Sequence, residues 1–338
     1  MRVLCCGFVI ADLIAAGLPK IPEPGDIVYS TLGIKLRTGG HPTNVSIDLM
    51  QMGLAEGDVG IVGCVGDDMF ADFIEGYLRA KKVITFLKRS KSAETTKTLA
   101  LVVRGEDRRF ICEPGASTML SFEHVKMTLS NTMPDIFYQA GGLLGEYDFM
   151  IAKVFDASRE SGVVNVFDFA PRPYGKDWSY ALPAIGKSDI VHCNDMEVKW
   201  MTGIEDVRKA AMKMAEHGAK LVIVSLGGSG LNAYYKREGA WIKQEAFKVE
   251  AVDPTGAGDA LVAGTIYKLL SKGIRRGKGV EGLSLEDVIE TLAYAQASGA
   301  ACVTEIGTTP GVTKDNIERI LKEQGERVIN STKIERNR

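Results

Sequence analysis

The chain has 338 residues, of which 45% are hydrophobic and 25% charged, as in ordinary globular proteins. Its 41 basic and 43 acidic side chains give a formal net charge of −2, which argues against a nucleic-acid-binding protein because such proteins carry a basic excess. Asp12 interrupts the first apolar stretch, so we expect no secretory leader, and no apolar run reaches the roughly 18 residues of a membrane span. The six cysteines are scattered without a Cys-x-x-Cys pair, which is typical of a cytoplasmic protein.

Strands and helices alternate along most of the chain. The predicted strands are short runs rich in Val, Ile and Phe, and the predicted helices carry apolar residues at spacings of three and four. In chain order we predict strand 3–10, helix 44–52, strand 59–65, helix 69–80, strand 136–139, helix 149–161, strands 163–169 and 190–193, helix 207–217, strand 221–225, and helices 260–272 and 285–301. This alternation predicts a doubly wound α/β domain with a mostly parallel sheet.

Two stretches interrupt the alternation. Residues 19–37 contain three prolines and then a β-favouring run at 27–32. Residues 95–113 favour two strands, 98–103 and 109–112, joined by a turn. From periodicity alone, these stretches could either decorate the edge of the sheet or form a small β lid that closes over a site.

The most specific motif runs from Asp253 to Asp259, between a strand-like run at 246–252 and an apolar helical pattern. Gly256, Ala257 and Gly258 have no side chain or only a methyl group, so their backbone N–H groups are accessible. At a helix N-terminus such N–H groups can converge on an anion. Asp259 directly follows these donors and could accept the proton of an attacking hydroxyl, which suits phosphoryl transfer. An ordinary capped helix is the alternative interpretation of this segment.

A second group of residues suits an acceptor that carries hydroxyl groups. Gly39 and Gly40 precede a helix with Asn44 in its first turn, and the Asn44 side chain offers both a donor and an acceptor. Asp12 follows the first strand at the carboxyl end of the sheet, where open α/β sheets bind ligands, and a carboxylate there can hold vicinal hydroxyls. His41 could contact the substrate or cap the helix.

Together these segments resemble the ribokinase-like, or PfkB-type, carbohydrate kinase family over nearly the whole chain and in the family's order. The segment Gly39–Asn44 is similar to the amino-terminal glycine-pair signature, and Asp253–Asp259 is similar to the carboxy-terminal signature. Asn194-Asp-Met-Glu197 is similar to the family's Asn-x-x-Glu motif. In the family, that Asn approaches the nucleotide phosphates and that Glu orients the hydration shell of Mg²⁺.

The resemblance implies a ribokinase-like fold, which is a Rossmann-like, doubly wound α/β domain with a small β-sheet lid. It implies a single domain over residues 1–330, with lid insertions at about 13–38 and 92–115. We expect the polar residues 331–338 to form a frayed tail. Because lids of this kind often pair in the family, a homodimer through the lid is also an expectation, alongside a small-molecule substrate and a nucleotide as partners.

The resemblance also implies roles for individual residues. Asp259 would be the general base, with the amides of residues 256–258 as the anion hole. The nucleotide would lie against Ser225, Gly227, Gly228, Gly230 and Gln296. The cofactors would be Mg²⁺ with ATP, and a monovalent cation such as K⁺ could bind at Asp253 and Thr255. ATP and ADP both stay open as the donor.

Two departures from family patterns concern the acceptor. Gly141 and Gly142 stand where ribokinases carry a glutamate, and Ala170 in the segment 168–172 stands where many hexose kinases carry asparagine. A typical ribokinase or fructokinase is therefore not expected.

Four cations lie in or beside the predicted lid: Lys35, Arg37, Lys97 and Arg104. If two of them point inward, they could bind a phosphate or a carboxylate on the substrate. Solvated surface charge is the alternative interpretation.

We therefore predict a Mg²⁺-dependent phosphotransferase that acts on a hydroxyl of a sugar, sugar acid, polyol or nucleoside. A kinase for an already phosphorylated sugar is one alternative. A catalytically silent sugar- or nucleotide-binding sensor of the same fold is another, although a sensor has no need of the intact Asp259, Asn194 and Glu197. A Rossmann oxidoreductase would need Gly-x-Gly-x-x-Gly after the first strand, and a Walker-type ATPase would need Gly-x-x-x-x-Gly-Lys-Ser/Thr; neither motif occurs there.

Overall fold

The computed structural model describes residues 1–106, 108–170 and 173–336. The strands, in chain order, are β1 (Val3–Cys6), β2 (Ile10–Leu18), β3 (Ile34–Gly39), β4 (Val59–Gly66), β5 (Ile84–Ser90), β6 (Thr96–Val103), β7 (Arg109–Glu113), β8 (Ile136–Gly141), β9 (Val164–Phe169), β10 (Ile190–Asn194), β11 (Leu221–Ser225), β12 (Leu231–Tyr235), β13 (Ala240–Gln244) and β14 (Lys333–Arg336). The α-helices are α1 (His41–Gln51), α2 (Met69–Ala80), α3 (Phe122–Thr132), α4 (Ile151–Glu160), α5 (Ala181–Ile185), α6 (Asp195–Thr202), α7 (Val207–His217), α8 (Ala257–Ser271), α9 (Leu285–Cys302) and α10 (Lys314–Asn330).

A large sheet of ten strands has the order β14-β13-β12-β11-β10-β9-β8-β1-β4-β5. The strands from β5 to β11 in this order pair in parallel, and β12, β13 and β14 add an antiparallel edge. The central strands β1, β4, β8 and β9 are buried along their whole length, as in a sheet whose two faces are both covered. They are mostly apolar, and their buried polar residues include Gln139, Asn165 and Asp168. This arrangement confirms the predicted doubly wound, mostly parallel fold.

The helices pack in two groups. One group contains α1, α8, α9 and α10, and the other contains α3, α4, α5 and α7. The parallel strands β9, β10 and β11 all end at one edge of the sheet, where α6 and α8 begin, so polar residues at these strand ends are brought together. Across the part of the chain that the structure describes, no helix is both long enough and apolar enough to cross a membrane.

A second sheet of four strands, in the order β3-β2-β6-β7, confirms the predicted β-sheet lid. Strands β6 and β7 come from the second stretch that interrupts the βα alternation, whereas β2 lies just before the first stretch and β3 at its end. The parallel pairing of β2 with β6 joins the two insertions, and β3 and β7 flank them in antiparallel fashion. The lid therefore needs contacts between residues about 85 positions apart, such as Asp12 with Thr98.

The structure corrects two of the predicted β segments near the amino terminus. The predicted strand 3–10 ends at Cys6, because Gly7 adopts a φ of +153° and the chain then crosses into the lid at Ile10. The β-favouring run 27–32 is not a strand. The Ser30 hydroxyl donates to the carbonyl groups of Ala16 and Gly33, and such local side-chain bonds compete with ladder pairing.

The structure also corrects two predictions in the carboxy-terminal half. The run 246–252 is not a strand, because its backbone is bound instead by the Gln324 side chain at Lys248 and by the Val303 carbonyl at Val252. Part of the expected frayed tail is ordered: β14 pairs with β13 at the edge of the large sheet, and its Glu335 lies 2.9 Å from Lys243 Nζ.

Candidate active site

The predicted base and its neighbours meet where α1 and α8 begin. His41 Nδ1 lies 2.5 Å from Asp259 Oδ1, and Asn44 Nδ2 donates to Asp259 Oδ2 over 2.7 Å. The Thr308 hydroxyl donates to Asn44 Oδ1 over 3.0 Å, which turns the Asn44 NH₂ group toward Asp259. Asp259 is only 5% exposed, so these contacts hold its carboxylate in one orientation.

His41 carries a positive charge beside this carboxylate. Burial by itself would lower the pKa of His41, but the charge of Asp259 and the hydrogen bond to it, with a further contribution from Asp168, raise that pKa to about 9. The side chain faces the base and does not cap α1, whose N-cap is Gly40. Of the two roles predicted for His41, the capping role is therefore wrong.

The predicted anion hole is an uncapped helix terminus. Gly256 is the N-cap of α8, with a φ of +82° and no side-chain cap, so the first turn can offer N–H groups to an anion. The Ala257 amide donates to the Pro254 carbonyl over a long 3.4 Å. A Cβ at Gly256 would lie 2.6 Å from the Thr308 carbonyl oxygen, so both the backbone angle and the space require glycine. Ala257 and Gly258 form the first turn together with Asp259.

Asp253, a predicted ligand of a monovalent cation, is bound by the lid. Arg108 Nη1 donates to Asp253 Oδ1 over 2.8 Å, and the amides of Thr255 and Gly307 donate to the same carboxylate, each over 3.0 Å. Burial would raise the pKa of Asp253, but the hydrogen bonds from Thr255 and Gly307 and the Arg108 charge lower it. Sequence reasoning missed Arg108, since an arginine in a polar turn gives no local signal.

The predicted acceptor residues lie between the lid and α1. The Asp12 carboxylate accepts a hydrogen bond from the Thr98 hydroxyl and lies where a side chain at Gly39 would be. Burial raises the pKa of Asp12, and the Thr98 hydrogen bond opposes that shift. Gly40 has a φ of +90°, and a Cβ there would overlap the Phe8 carbonyl group. Gly39 thus lets Asp12 approach the start of α1 closely, and Gly40 lets the chain pass close to the Phe8 carbonyl group.

Asn194 and Glu197 form a capping box at the start of α6. Asn194 Oδ1 accepts the amide of Glu197 over 2.8 Å, and Glu197 Oε2 accepts the amide of Asn194 over 2.8 Å. The cap leaves the Asn194 NH₂ group available to a phosphate and one Glu197 oxygen available to a metal-bound water. Burial, followed by the charge of Asp168, raises the pKa of Glu197 to about 7, as expected for a carboxylate placed to meet a cation.

The predicted nucleotide residues fall into two groups. Gly227 and Gly228 lie in an open turn, where an added Cβ would meet no atom within 4 Å. The fold requires glycine at position 230, since φ is +98° there and a Cβ would overlap the Gln244 carbonyl group. Gln296 is 7% exposed and donates to Gln244 Oε1 over 3.0 Å, so its amide is engaged inside the protein.

Two of the four lid cations share a face with Asp12. Residues paired across strands point to the same side of a sheet, as do residues two positions apart. Arg37 pairs with Asp12, and Lys35 lies two positions before Arg37 on β3. Lys97 lies on the opposite face, 3.1 Å from Glu113, and Arg104 donates to the Thr31 hydroxyl.

His192 is a further site residue that sequence reasoning did not identify. It lies on the buried strand β10 and is 5% exposed, with Nδ1 3.2 Å from Asp168 Oδ2 and Nε2 3.2 Å from the Ser225 hydroxyl. The signal that could have revealed it is a polar residue in an apolar strand, two positions before Asn194. Of the segment 168–172, the structure describes residues 168–170, and Pro171 and Arg172 lie outside the described residues.

An α/β fold with a β-sheet lid, in which a buried carboxylate adjoins an uncapped helix N-terminus, has the architecture of a phosphotransferase. A sequence model of the pfkB family carbohydrate kinases matches residues 2–315, and the chain belongs to this family. The prediction of a carbohydrate or nucleoside kinase is thereby confirmed, and the family is that of the carbohydrate kinases.

Relatives and solved structures agree with this assignment. The chain is 28% identical to the probable fructokinase-2 of Arabidopsis thaliana over 311 residues, which cover 87% of this chain and 89% of the relative. It is 27% identical to fructokinase-1 of Zea mays over 291 residues, which cover 81% and 84%. Ribokinase from Giardia lamblia superposes with a TM-score of 0.83 at 20% identity, covering 95% of this chain and 98% of that one. Fructokinase from Xylella fastidiosa, solved with bound ATP, superposes with a TM-score of 0.79 at 23% identity, covering 96% and 99%.

Proposed function

We propose that this chain transfers a phosphoryl group from ATP to a hydroxyl of a sugar or related polyol, with Asp259 as the general base. The observation that carries the proposal is the position of Asp259, fixed by His41 and Asn44 in the first turn of the uncapped helix α8. The fructokinase relatives support a sugar acceptor. The neighbours solved with ATP, one of them a putative ribokinase II of E. coli with ATP and Mg²⁺, support the donor and the metal.

In this mechanism, each end of the site has a distinct task. Asp12 would hold acceptor hydroxyls, and Asp259 would accept the proton of the attacking hydroxyl as the amides of residues 256–258 bind the transferred group. His41 would remain protonated and balance the carboxylates around it. Mg²⁺, when bound, neutralises charge that develops on the phosphates, and Glu197 would hold one of its waters while the Asn194 amide binds a phosphate oxygen.

A second candidate concerns the acceptor. Arg37 and Lys35 share the face of Asp12, and both are exposed, so they favour an acceptor that carries an anionic group, such as a phosphorylated sugar or a sugar acid. Arg37 lies two positions before Gly39 on β3, about 7 Å along the strand, within the reach of its side chain to the acceptor end.

An acceptor panel tests both candidates. The full chain, Mg²⁺ and ATP would be incubated with neutral sugars, polyols, nucleosides, sugar phosphates and sugar acids, and transfer to at least one acceptor is expected. Parallel arms with ADP, and with K⁺ replaced by Na⁺, test the donor and the proposed monovalent cation at Asp253 and Thr255. Nucleotide binding without transfer to any acceptor would favour the sensor.

For an anionic acceptor, Arg37→Gln should raise KM by about tenfold, as expected for one lost charge-assisted contact, and leave neutral acceptors unaffected. Arg104→Gln is the matched control, because Arg104 is also a lid arginine but donates to Thr31. Use of neutral acceptors only, with no effect of Arg37→Gln, would reject the anionic acceptor and leave the kinase assignment standing.

We further propose that two copies pair through the outer face of the lid. Ile34, Leu99 and Ile111 lie on the face opposite Asp12 and are 70%, 36% and 61% exposed. Leu99 and Ile111 are directly paired between β6 and β7, and exposed apolar side chains on one sheet face favour association with a second copy.

Sedimentation of the full chain should therefore give a dimer, and Ile111→Lys should give a monomer. Met127→Lys, at an exposed apolar residue of α3, is the matched control and should leave the dimer intact. A monomeric wild-type chain at micromolar concentration would reject the lid dimer.

A cytoplasmic location is also proposed. All six cysteines are free, and five of them are buried, which fits a reducing compartment. Fractionation of the source cells should recover the chain with cytoplasmic enzymes, and recovery from the secreted fraction would reject this location.

A further inference from the structure

A row of polar side chains crosses the ends of β9, β10 and β11. It connects the proposed base, Asp259, to the predicted nucleotide-binding turn that follows β11, here called the nucleotide turn. His41 Nδ1 lies 4.0 Å from Asp168 Oδ2, Asp168 Oδ2 lies 3.2 Å from His192 Nδ1, and His192 Nε2 lies 3.2 Å from the Ser225 hydroxyl. Asp168 is 2% exposed and His192 5% exposed, so the middle of the row is shielded from solvent. The proposed chemistry gives Asp168 and His192 no role so far.

The hydrogen-bond partners of His192 limit which protons its ring can carry. Asp168 is an ionised carboxylate that accepts at Oδ2, so the Nδ1 position must donate. The Ser225 hydroxyl lies 3.2 Å from His192 Nε2 and 3.5 Å from the Cys193 carbonyl oxygen, which can only accept. When the serine proton is directed to that carbonyl, the serine oxygen accepts a hydrogen bond from Nε2; when it is directed to Nε2, the ring is neutral. The first arrangement places a proton on both ring nitrogens, so the ring is positively charged, and its charge then lies 3.2 Å from the Asp168 carboxylate.

The ring lies directly beside the anion hole. A Cβ added to Gly258 would lie 3.3 Å from His192 Cε1, so only a hydrogen atom separates this turn of α8 from the imidazole. The charged groups that act on His192 or on its partner Asp168 are the carboxylates of Asp168, Glu197 and Asp259 and the ring of His41, and the buried Tyr138 hydroxyl of β8 also interacts with Asp168. Burial by itself would lower the pKa of His192, but the charge of Asp168 and the hydrogen bond to it raise that pKa.

We propose that His192 is a positioning residue that holds a permanent, buried positive charge under the anion hole, oriented by Asp168 at one end and by Ser225 at the other. This inference rests on the proposed kinase function for its catalytic consequence. A fixed charge in a water-poor site stabilises negative charge that develops on the transferred group without any reorganisation. Through Ser225, the same ring links the nucleotide turn to the catalytic carboxylates.

The protonation state can be read without any turnover. The full chain, labelled with ¹⁵N-histidine, would be examined by ¹H–¹⁵N correlation at neutral pH, and the His192 signals would be assigned by their loss in His192→Gln. We expect both ring nitrogens to be protonated. A neutral His192 ring at neutral pH overturns the proposal, whether or not the chain proves to be a kinase.

The kinetic consequence is tested with a charge swap. His192→Gln keeps a polar side chain but removes the charge, and we expect kcat to fall by about tenfold or more with little change in the KM of the acceptor. His192→Lys returns a charge and should recover part of the loss. An equal loss in both variants would indicate a purely structural role and reject the proposal. His124→Gln is the matched control, since His124 is a partly buried histidine on α3 whose Nε2 lies 2.8 Å from the Phe86 carbonyl oxygen.

Discussion

Replacement of Asp259 by asparagine is expected to lower kcat by at least ~10²-fold, the usual contribution of a positioned general base. Asparagine has nearly the same shape and can still accept one hydrogen bond from His41 or Asn44, so the start of α8 should be preserved. It cannot accept the proton of an attacking hydroxyl. The measurement is kcat with saturating ATP and the best acceptor of the panel, together with a thermal melt to verify folding.

Asp315→Asn is the matched control for this experiment. Asp315 also lies in the first turn of a helix, α10, but it is exposed. The control therefore removes an aspartate from a helix N-terminus without touching the site, and its kcat should equal that of the wild-type chain. Near-normal turnover of Asp259→Asn would refute the role of Asp259 as the base and would favour direct attack without proton abstraction.

The local motifs could be predicted from the sequence because the residues of each motif are close together in the chain. Gly256 and Asp259 belong to one heptapeptide, and the structure gives Gly256 the positive φ that glycine allows. Gly39 and Gly40 likewise precede α1 as predicted. The capping box of Asn194 and Glu197 spans only four positions, so its spacing already specifies one helical turn.

The rest of the site could not be predicted, since it depends on contacts between distant segments. Arg108 and Asp253 are 145 positions apart, and His41 and Asp259 are 218 positions apart. No spacing rule connects such pairs. The role of His192 could not be predicted for the same reason. Its partners Asp168 and Ser225 lie on two other strands, and the register of the sheet brings them together.

The errors in secondary structure have a similar cause. The runs 27–32 and 246–252 both have β-favouring composition, but a strand needs a partner edge as well as propensity. In the first run the Ser30 side chain binds the backbone locally, and in the second the Gln324 side chain of α10 replaces a partner strand. Conversely, the polar segment 333–336 becomes a strand because the edge of β13 is available to it.

Replacement of Gly39 by alanine is expected to lower kcat/KM for the acceptor by about 10²-fold while nucleotide affinity stays unchanged. Gly39 has no positive φ, so the backbone of β3 accepts alanine. The three atoms nearest to the new methyl group all belong to the Asp12 side chain, so the fold can absorb the change only by moving that carboxylate. Acceptor hydroxyls then lose charge-assisted hydrogen bonds, each of which contributes about 1.5–3 kcal/mol.

Gly76→Ala is the control for this substitution. Gly76 lies inside α2 with nothing within 4 Å of the new methyl group, so the variant should keep wild-type kinetics and gain up to about 1 kcal/mol of stability from helix propensity. A double-mutant cycle with Asp12→Asn then identifies the cause. If Gly39→Ala acts by displacing Asp12, the double variant should lose little more than either single variant, because both changes remove the same contacts. Additive losses would mean that Gly39 contributes to acceptor binding by itself, through the close approach of its own backbone.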